Sequence, residues 1–168
     1  MIVDNAVHEL TDSDVALLGL NYYNTCGEKG KGPSLIMQSL NTQSSYNIQE
    51  EVDAFNELRI SDLGVIKTND YSRLKSEVSE LLKPEFNATL VTIGGEHLVS
   101  LPVIESLKPD NVVLLDAHAD YYDKYEGKKH SYATVTRRVS ELVKNVFLVG
   151  VRDLTITEAS DLKKSKVE

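Results

Sequence analysis

At 168 residues, 41% of them hydrophobic, the chain is long enough for one domain with a real core, read here as 1–168, and too apolar for a disordered one. Lys and Arg number 18 against 26 Asp and Glu; the net charge of −8 argues against nucleic acid, whose affinity comes from phosphate neutralisation, and suits a small cationic ligand. The lone Cys26 cannot form an internal disulfide, no basic and apolar leader opens the chain, and no apolar run reaches membrane-spanning length, so a cytoplasmic protein with no membrane role is expected.

The apolar run VALLGL (15–20) reads as a buried strand entering the Gly-rich loop NTCGEKGKGP. Pro33 then opens a helix whose apolar side is Leu35, Ile36 and Leu40. ELRISDLGVI (57–66) contains a second strand. NDYSRLKSEVSELLK (69–83) predicts a helix capped by Asn69 or Asp70, with Tyr71, Leu74, Val78, Leu81 and Leu82 on one face and Pro84 as its stop. ATLVTIGG (88–95) is a strand and LVSLPVIESLK (98–108) the helix after it. The strand NVVLLD (111–116), the helix SYATVTRRVSELVK (131–144) and the strand NVFLVGVR (145–152) complete the alternation, and EASDLKKSKVE starts a polar helix. Apolar runs alternating with amphipathic helices, without hairpin signals, indicate an α/β protein with a mainly parallel sheet covered on both faces. In such sheets chemistry gathers beyond the carboxyl ends of the strands.

Two strand ends carry unusual residues. DAHAD (116–120) puts two carboxylates and an imidazole on alternate positions, which on an extended backbone project the same way. Asp116, His118 and Asp120 would then crowd like charges, and a divalent cation resolves that conflict. Carboxylate and imidazole donors without thiolate favour Mn²⁺, with Zn²⁺, Co²⁺ or Fe²⁺ also compatible. TIGGEHLVS (92–100) brings His97 from the end of another strand, with Gly94 and Gly95 letting the backbone turn sharply. Glu96 reads as a residue that orients an imidazole. Read without a metal, DAHAD is a solvated strand end and His97 a structural residue; two such clusters at one sheet edge favour the metal.

GGEH (94–97), DAHAD (116–120) and SYATVTRR (131–138) resemble, in order and spacing, three metal-site motifs of the ureohydrolases, the arginases and agmatinases. DKYEGKKHSYATVTRR is closer to the agmatinase branch, and GKGPSLI (30–36), ISDLGVI (60–66) and FLVGVRDLTITE (147–158) extend the similarity over nearly the whole chain. The resemblance implies a three-layer α/β/α, arginase-like fold and hydrolysis of a guanidinium compound, agmatine foremost, to urea and an amine such as putrescine. It implies two Mn²⁺ ions and a hydroxide bridging them, with His97 and Asp120 on one ion, His118 on the other and Asp116 between them. The family usually forms symmetric assemblies, so a homo-oligomer is expected. Of the alternatives, a metal-binding or subunit-interaction remnant of the family comes second and a deacetylase-like metal hydrolase third.

Two departures from the family pattern stand out. Tyr132 occupies the place of a histidine that the family uses as a proton shuttle, and the order here is His130-Ser131-Tyr132. A phenol titrates near ~10 and an imidazole near ~6.5, so of these two candidate catalytic residues His130 suits proton transfer better if its loop turns inward. The family's later Asp-x-Asp ligand pair has no counterpart here, and a complementing C-terminal polypeptide would supply it. In the family's strand order, 2-1-3-8-7-4-5-6, that part lies between the strands at 88–95 and 111–116. Those two strands must then close up directly or leave a gap of ~14 Å at ~4.8 Å per strand spacing.

Overall fold

The run VALLGL becomes β1 (Val15–Asn21) in the structure, a computed structural model that describes residues 2–26, 30–82 and 87–168. Two compact units form, one from Met1–Asn24 and Glu28–Gly95, the other from Thr25–Gly27 and Glu96–Glu168.

In the first unit, α1 (Gly32–Ser39) follows β1, and a small antiparallel ribbon joins β2 (Tyr46–Asn47) to β3 (Val52–Asp53). The short α2 (Ala54–Glu57), β4 (Ile60–Lys67), α3 (Tyr71–Leu81) and β5 (Thr89–Gly94) complete it. Among the described residues the sheet is three-stranded and parallel, in the order β4-β1-β5. β1 is buried along its length because it is the middle strand, and Leu17 joins Val3, Ala6, Met37 and Ile60 in a core cluster. Its pairing with β4 slips between Leu17 and Gly19, where Gly64 adopts φ +78°. A Cβ on Gly19 would come within 2.6 Å of Val65 Cγ2, so the slipped register depends on a glycine there.

Two sequence expectations change in this unit, and a third holds. Leu35 and Ile36 are largely exposed and Leu40 only partly buried; the buried residues of α1 are Pro33, Ser34 and Met37. The helical period was read from the apolar residues alone, whereas Ser34 is held inward by Asn21, whose Nδ2 donates to Ser34 Oγ at 2.8 Å. The antiparallel β2–β3 ribbon leaves no hairpin pattern in the sequence because each strand is only two residues long and pairs one apolar with one polar residue. The helix at 69–83 is α3, and Asp70 is its cap, accepting from the backbone N–H of Ser72 and Arg73. Its expected stop at Pro84 lies outside the described residues.

In the second unit, a single turn at His97–Val99 leads into α4 (Ser100–Leu107), which ends at Lys108 in the left-handed conformation. β6 (Asn111–Leu115) and β7 (Asn145–Val149) pair in parallel, with α5 (Val135–Leu142) between them and α6 (Ile156–Leu162) after. The helix expected at 131–144 begins instead with a turn at Tyr132–Thr134, where Ser131 N–H donates to Thr134 Oγ1. Near the last residue, Val167 forms a parallel bridge to Val146. Among the described residues β5 pairs only with β1, and β6 only with β7. β6 buries one face, Val112 and Leu114, while Val113 and Leu115 are 60% and 80% exposed.

Candidate metal centre

β6 stops at Leu115, and the five residues after it do not keep the strand pitch on which the alternate-residue argument rested. Instead the segment is laced to the last residue of β7 and the chain just beyond it. Asp116 N–H donates to Val149 O at 3.0 Å, and Ala117 O accepts from the N–H groups of Arg152 and Asp153. Asp120 then adopts φ +46°, a left-handed conformation tolerated better by Asp than by most residues.

This bend sorts the DAHAD side chains. Asp120 Oδ2 lies 2.7 Å from His97 Nδ1, and Asp116 Oδ2 lies 3.4 Å from the same nitrogen. One ligand atom from each of the three residues falls within 4.8 Å of the others. His118 stays outside that trio: its Nδ1 is 3.5 Å from Asp116 Oδ1, its Nε2 is 3.9 Å from Asp153 Oδ2, and its side chain is 63% exposed. The two oxygens of Asp116 thus face two different imidazoles. Metal bonds of ~2.1 Å at right angles separate neighbouring ligand atoms by ~3.0 Å, a spacing the 2.7 and 3.4 Å contacts bracket. One imidazole nitrogen and two carboxylate oxygens, partly buried, therefore fit a divalent cation of the Mn²⁺ or Zn²⁺ type.

His97 is delivered by the turn after β5. Neither of the paired glycines has positive φ, so a sharp turn is not their reason; at Gly95 a Cβ would lie 2.5 Å from Tyr22 O. Glu96 is buried, and its carboxylate accepts from Thr25 N–H, Cys26 N–H and Thr25 Oγ1–H. Thr25 Oγ1 in turn accepts from Tyr132 N–H at 3.1 Å, so the residue before His97 is tied through Thr25 to the turn that carries Tyr132. The arrangement gives Glu96 a backbone-anchoring part that its place beside an imidazole did not suggest.

Tyr132 sits in a small aromatic group. Its ring centroid is 5.4 Å from that of Tyr125, which lies 5.5 Å from Tyr122. A hydrogen bond with Tyr125, then burial, then the nearby negative charges of Glu126 and Asp120 push the Tyr132 phenol up to about 12. Tyr132 is therefore a neutral hydroxyl throughout the physiological range. His130 is exposed.

In the sequence Glu158 carries only a local signal, the Thr-x-x-Glu signature of a capping box in TITE (155–158). That box forms at the start of α6, and the same carboxylate also accepts from Tyr121 N–H, next to Asp120.

Residues 13–168 match the arginase family. The agmatinase of Pyrococcus horikoshii is 31% identical over 168 residues, covering 95% of this chain and 59% of that one. The N(1)-aminopropylagmatine ureohydrolase of Thermococcus kodakarensis is 35% identical over 153 residues, covering 84% of this chain and 52% of that one. In three dimensions the agmatine ureohydrolase of Thermoplasma volcanium superposes with a TM-score of 0.83 at 23% identity, over 99% of this chain and 59% of that one. The chain spans little more than half the length of these two relatives, and it belongs to the arginase family.

Proposed function

We propose that this chain is the metal-binding portion of a ureohydrolase that cleaves a guanidinium substrate, agmatine foremost, to urea and an amine. The observation that carries the reading is the convergence of His97, Asp116 and Asp120, whose ligand atoms lie within 4.8 Å of one another. His97 and Asp120 would hold one divalent ion, Asp116 would share its two oxygens between that ion and a second, and His118 would serve the second. Mn²⁺ is the preferred metal for these hard oxygen and borderline nitrogen donors. When bound, such ions supply a hydroxide nucleophile near neutral pH. The protein's own part is to crowd carboxylates where a cationic guanidinium must dock.

Two carboxylates and two imidazoles are a sparse ligand set for two ions. Val113, Leu115 and Val149 offer exposed apolar surface on the β6–β7 sheet, suited to further polypeptide that would add ligands and cover that face. Activity is accordingly assigned to this chain with such a complement, in a homo-oligomer or a two-part assembly. The test is urea release from agmatine by the chain with Mn²⁺, alone and with the C-terminal portion of a relative added. Absence of urea in both, with Mn²⁺ bound, rejects the enzymatic reading for this polypeptide.

A second reading, a metal-binding module without turnover, is favoured by Tyr132. A phenol held near 12 cannot relay protons around neutrality as an imidazole can. Bound Mn²⁺ with no turnover in the complemented assay is its signature.

A further inference from the structure

Glu158 is 4% exposed, and both of its carboxylate oxygens accept hydrogen bonds. Oε1 accepts from Tyr121 N–H at 3.0 Å; Oε2 accepts from Thr155 N–H and Thr155 Oγ1–H, both at 2.9 Å. The second pair of contacts is ordinary helix capping. The first is not, because Tyr121 lies 37 residues away and directly follows Asp120.

We infer that Glu158 is a positioning residue for the metal centre: it grips the Tyr121 N–H so that Asp120 keeps its left-handed backbone and its carboxylate stays at His97. The peptide joining Asp120 to Tyr121 is planar, so holding its N–H restrains ψ of Asp120, and a residue with a Cβ can keep a positive φ only over a narrow range of ψ. A φ of +46° is unfavourable for a residue with a Cβ and persists only where the surroundings enforce it. Tyr121 is itself buried, its hydroxyl 3.3 Å from Ser140 Oγ and its ring beneath the Arg137 guanidinium, whose carbon is 5.4 Å from the ring centre. The side chain of Tyr121 is thereby anchored, and Glu158 sets the remaining freedom, the direction of the peptide before it. With the acceptor withdrawn, a buried N–H has no partner and Asp120 relaxes towards the right-handed region, which swings Oδ2 off the 2.7 Å contact with His97. Glu158 need touch neither metal nor substrate to do this.

The inference rests on the metal reading of His97, Asp116 and Asp120, and the experiment separates the two. Mn²⁺ alone is titrated calorimetrically into the full chain and three variants, with Tm measured for each. Glu158→Asp keeps the charge and the cap but is too short to reach Tyr121; Glu158→Gln keeps an oxygen for that N–H; Thr155→Val removes the cap partner and spares the Tyr121 contact. Glu158→Asp is expected to lose about tenfold or more in Mn²⁺ affinity, while Glu158→Gln and Thr155→Val stay within about threefold of the unaltered chain whatever their Tm. A Glu158→Asp variant that binds as tightly as the unaltered chain overturns the role, as does an equal loss in Thr155→Val. If the unaltered chain binds no Mn²⁺, the metal reading fails and a metal-free measurement decides. The ¹⁵N shifts of the His97 ring must then move in Glu158→Asp and not in Thr155→Val, and unmoved shifts in Glu158→Asp overturn the positioning role as well.

Discussion

The imidazole of His97 and the carboxylate of Asp120, 23 residues apart in sequence, meet at 2.7 Å. A structural hydrogen bond and a pair of metal ligands make different demands on that contact. Asn in place of Asp120 retains an acceptor oxygen for an imidazole N–H and loses the charge a cation needs. Asp120→Asn is therefore expected to keep its Tm within a few degrees and to lose more than about a hundredfold in Mn²⁺ affinity. Calorimetric titration with Mn²⁺ checks this; undiminished binding removes Asp120 from the ligand set.

The Tyr125–Tyr132 pair gives a prediction that needs no metal. The hydrogen bond with Tyr125 is the first cause of the Tyr132 shift, so Tyr125→Phe should bring the Tyr132 phenol down from about 12 towards its ordinary 10.0. Because the folded chain holds this phenol above its unfolded value, its stabilising contribution is complete below pH 10 and is lost as pH rises towards 12. Titration of [¹³C]tyrosine-labelled protein by NMR follows both effects, and an unchanged Tyr132 midpoint in Tyr125→Phe would place the cause elsewhere. Replacing Tyr132 by His supplies a group that titrates near ~6.5, and in a complemented, active assembly it should add an ascending limb to the pH profile of kcat.

Much of this organisation is legible in residue order because local rules and tertiary packing agree. Asp70 caps α3 where its sequence position says it should, and Leu74 and Val78 are fully buried. His97 and Asp116 each follow a strand, as the apolar runs ending in GGEH and DAHAD indicate. The failures arise where a long-range contact overrides a local pattern. Alternation predicts that Asp116, His118 and Asp120 share one side, but the backbone bonds from Val149, Arg152 and Asp153 and the positive φ of Asp120 divide them. The inward face of α1 follows a polar pair, Asn21 and Ser34, that hydrophobic periodicity cannot register. Glu158 looks in sequence like any first-turn glutamate, and its grip on Tyr121 appears only once α6 is placed.

Arg59 forms a paired contact with Asp14 that has an acid signature. Its side chain donates from Nε and Nη2 and its backbone N–H donates too, which holds the Asp14 carboxyl down at about 2 against an ordinary 3.8. A depressed carboxyl contributes stability that is present above 3.8 and lost as pH falls through about 2. Arg59→Met should therefore flatten the acid limb of unfolding stability between those values by lowering stability at pH 7 and not below pH 2, a modest loss because the pair is solvent-exposed and screened. Denaturant melts across that range, with and without the substitution, provide the comparison; identical acid limbs count against the pair.

Gly95 is hemmed in by backbone as well as side chain, and the two can be told apart. A Cβ there would stand 2.5 Å from Tyr22 O and 2.7 and 2.8 Å from atoms of the Tyr23 ring. Gly95→Ala should destabilise by about 1–3 kcal/mol, the usual cost of forcing extra atoms into filled space, or a few degrees of Tm. The tyrosine ring can rotate or be removed, whereas the Tyr22 carbonyl cannot move without disturbing the end of β1. In a double-mutant cycle, Tyr23→Leu should therefore recover only part of the loss caused by Gly95→Ala, with a coupling energy clearly smaller than the single-mutant cost. Full recovery would make the ring the sole obstacle, and the second glycine of GGEH would then owe its place to Tyr23 rather than to the main chain.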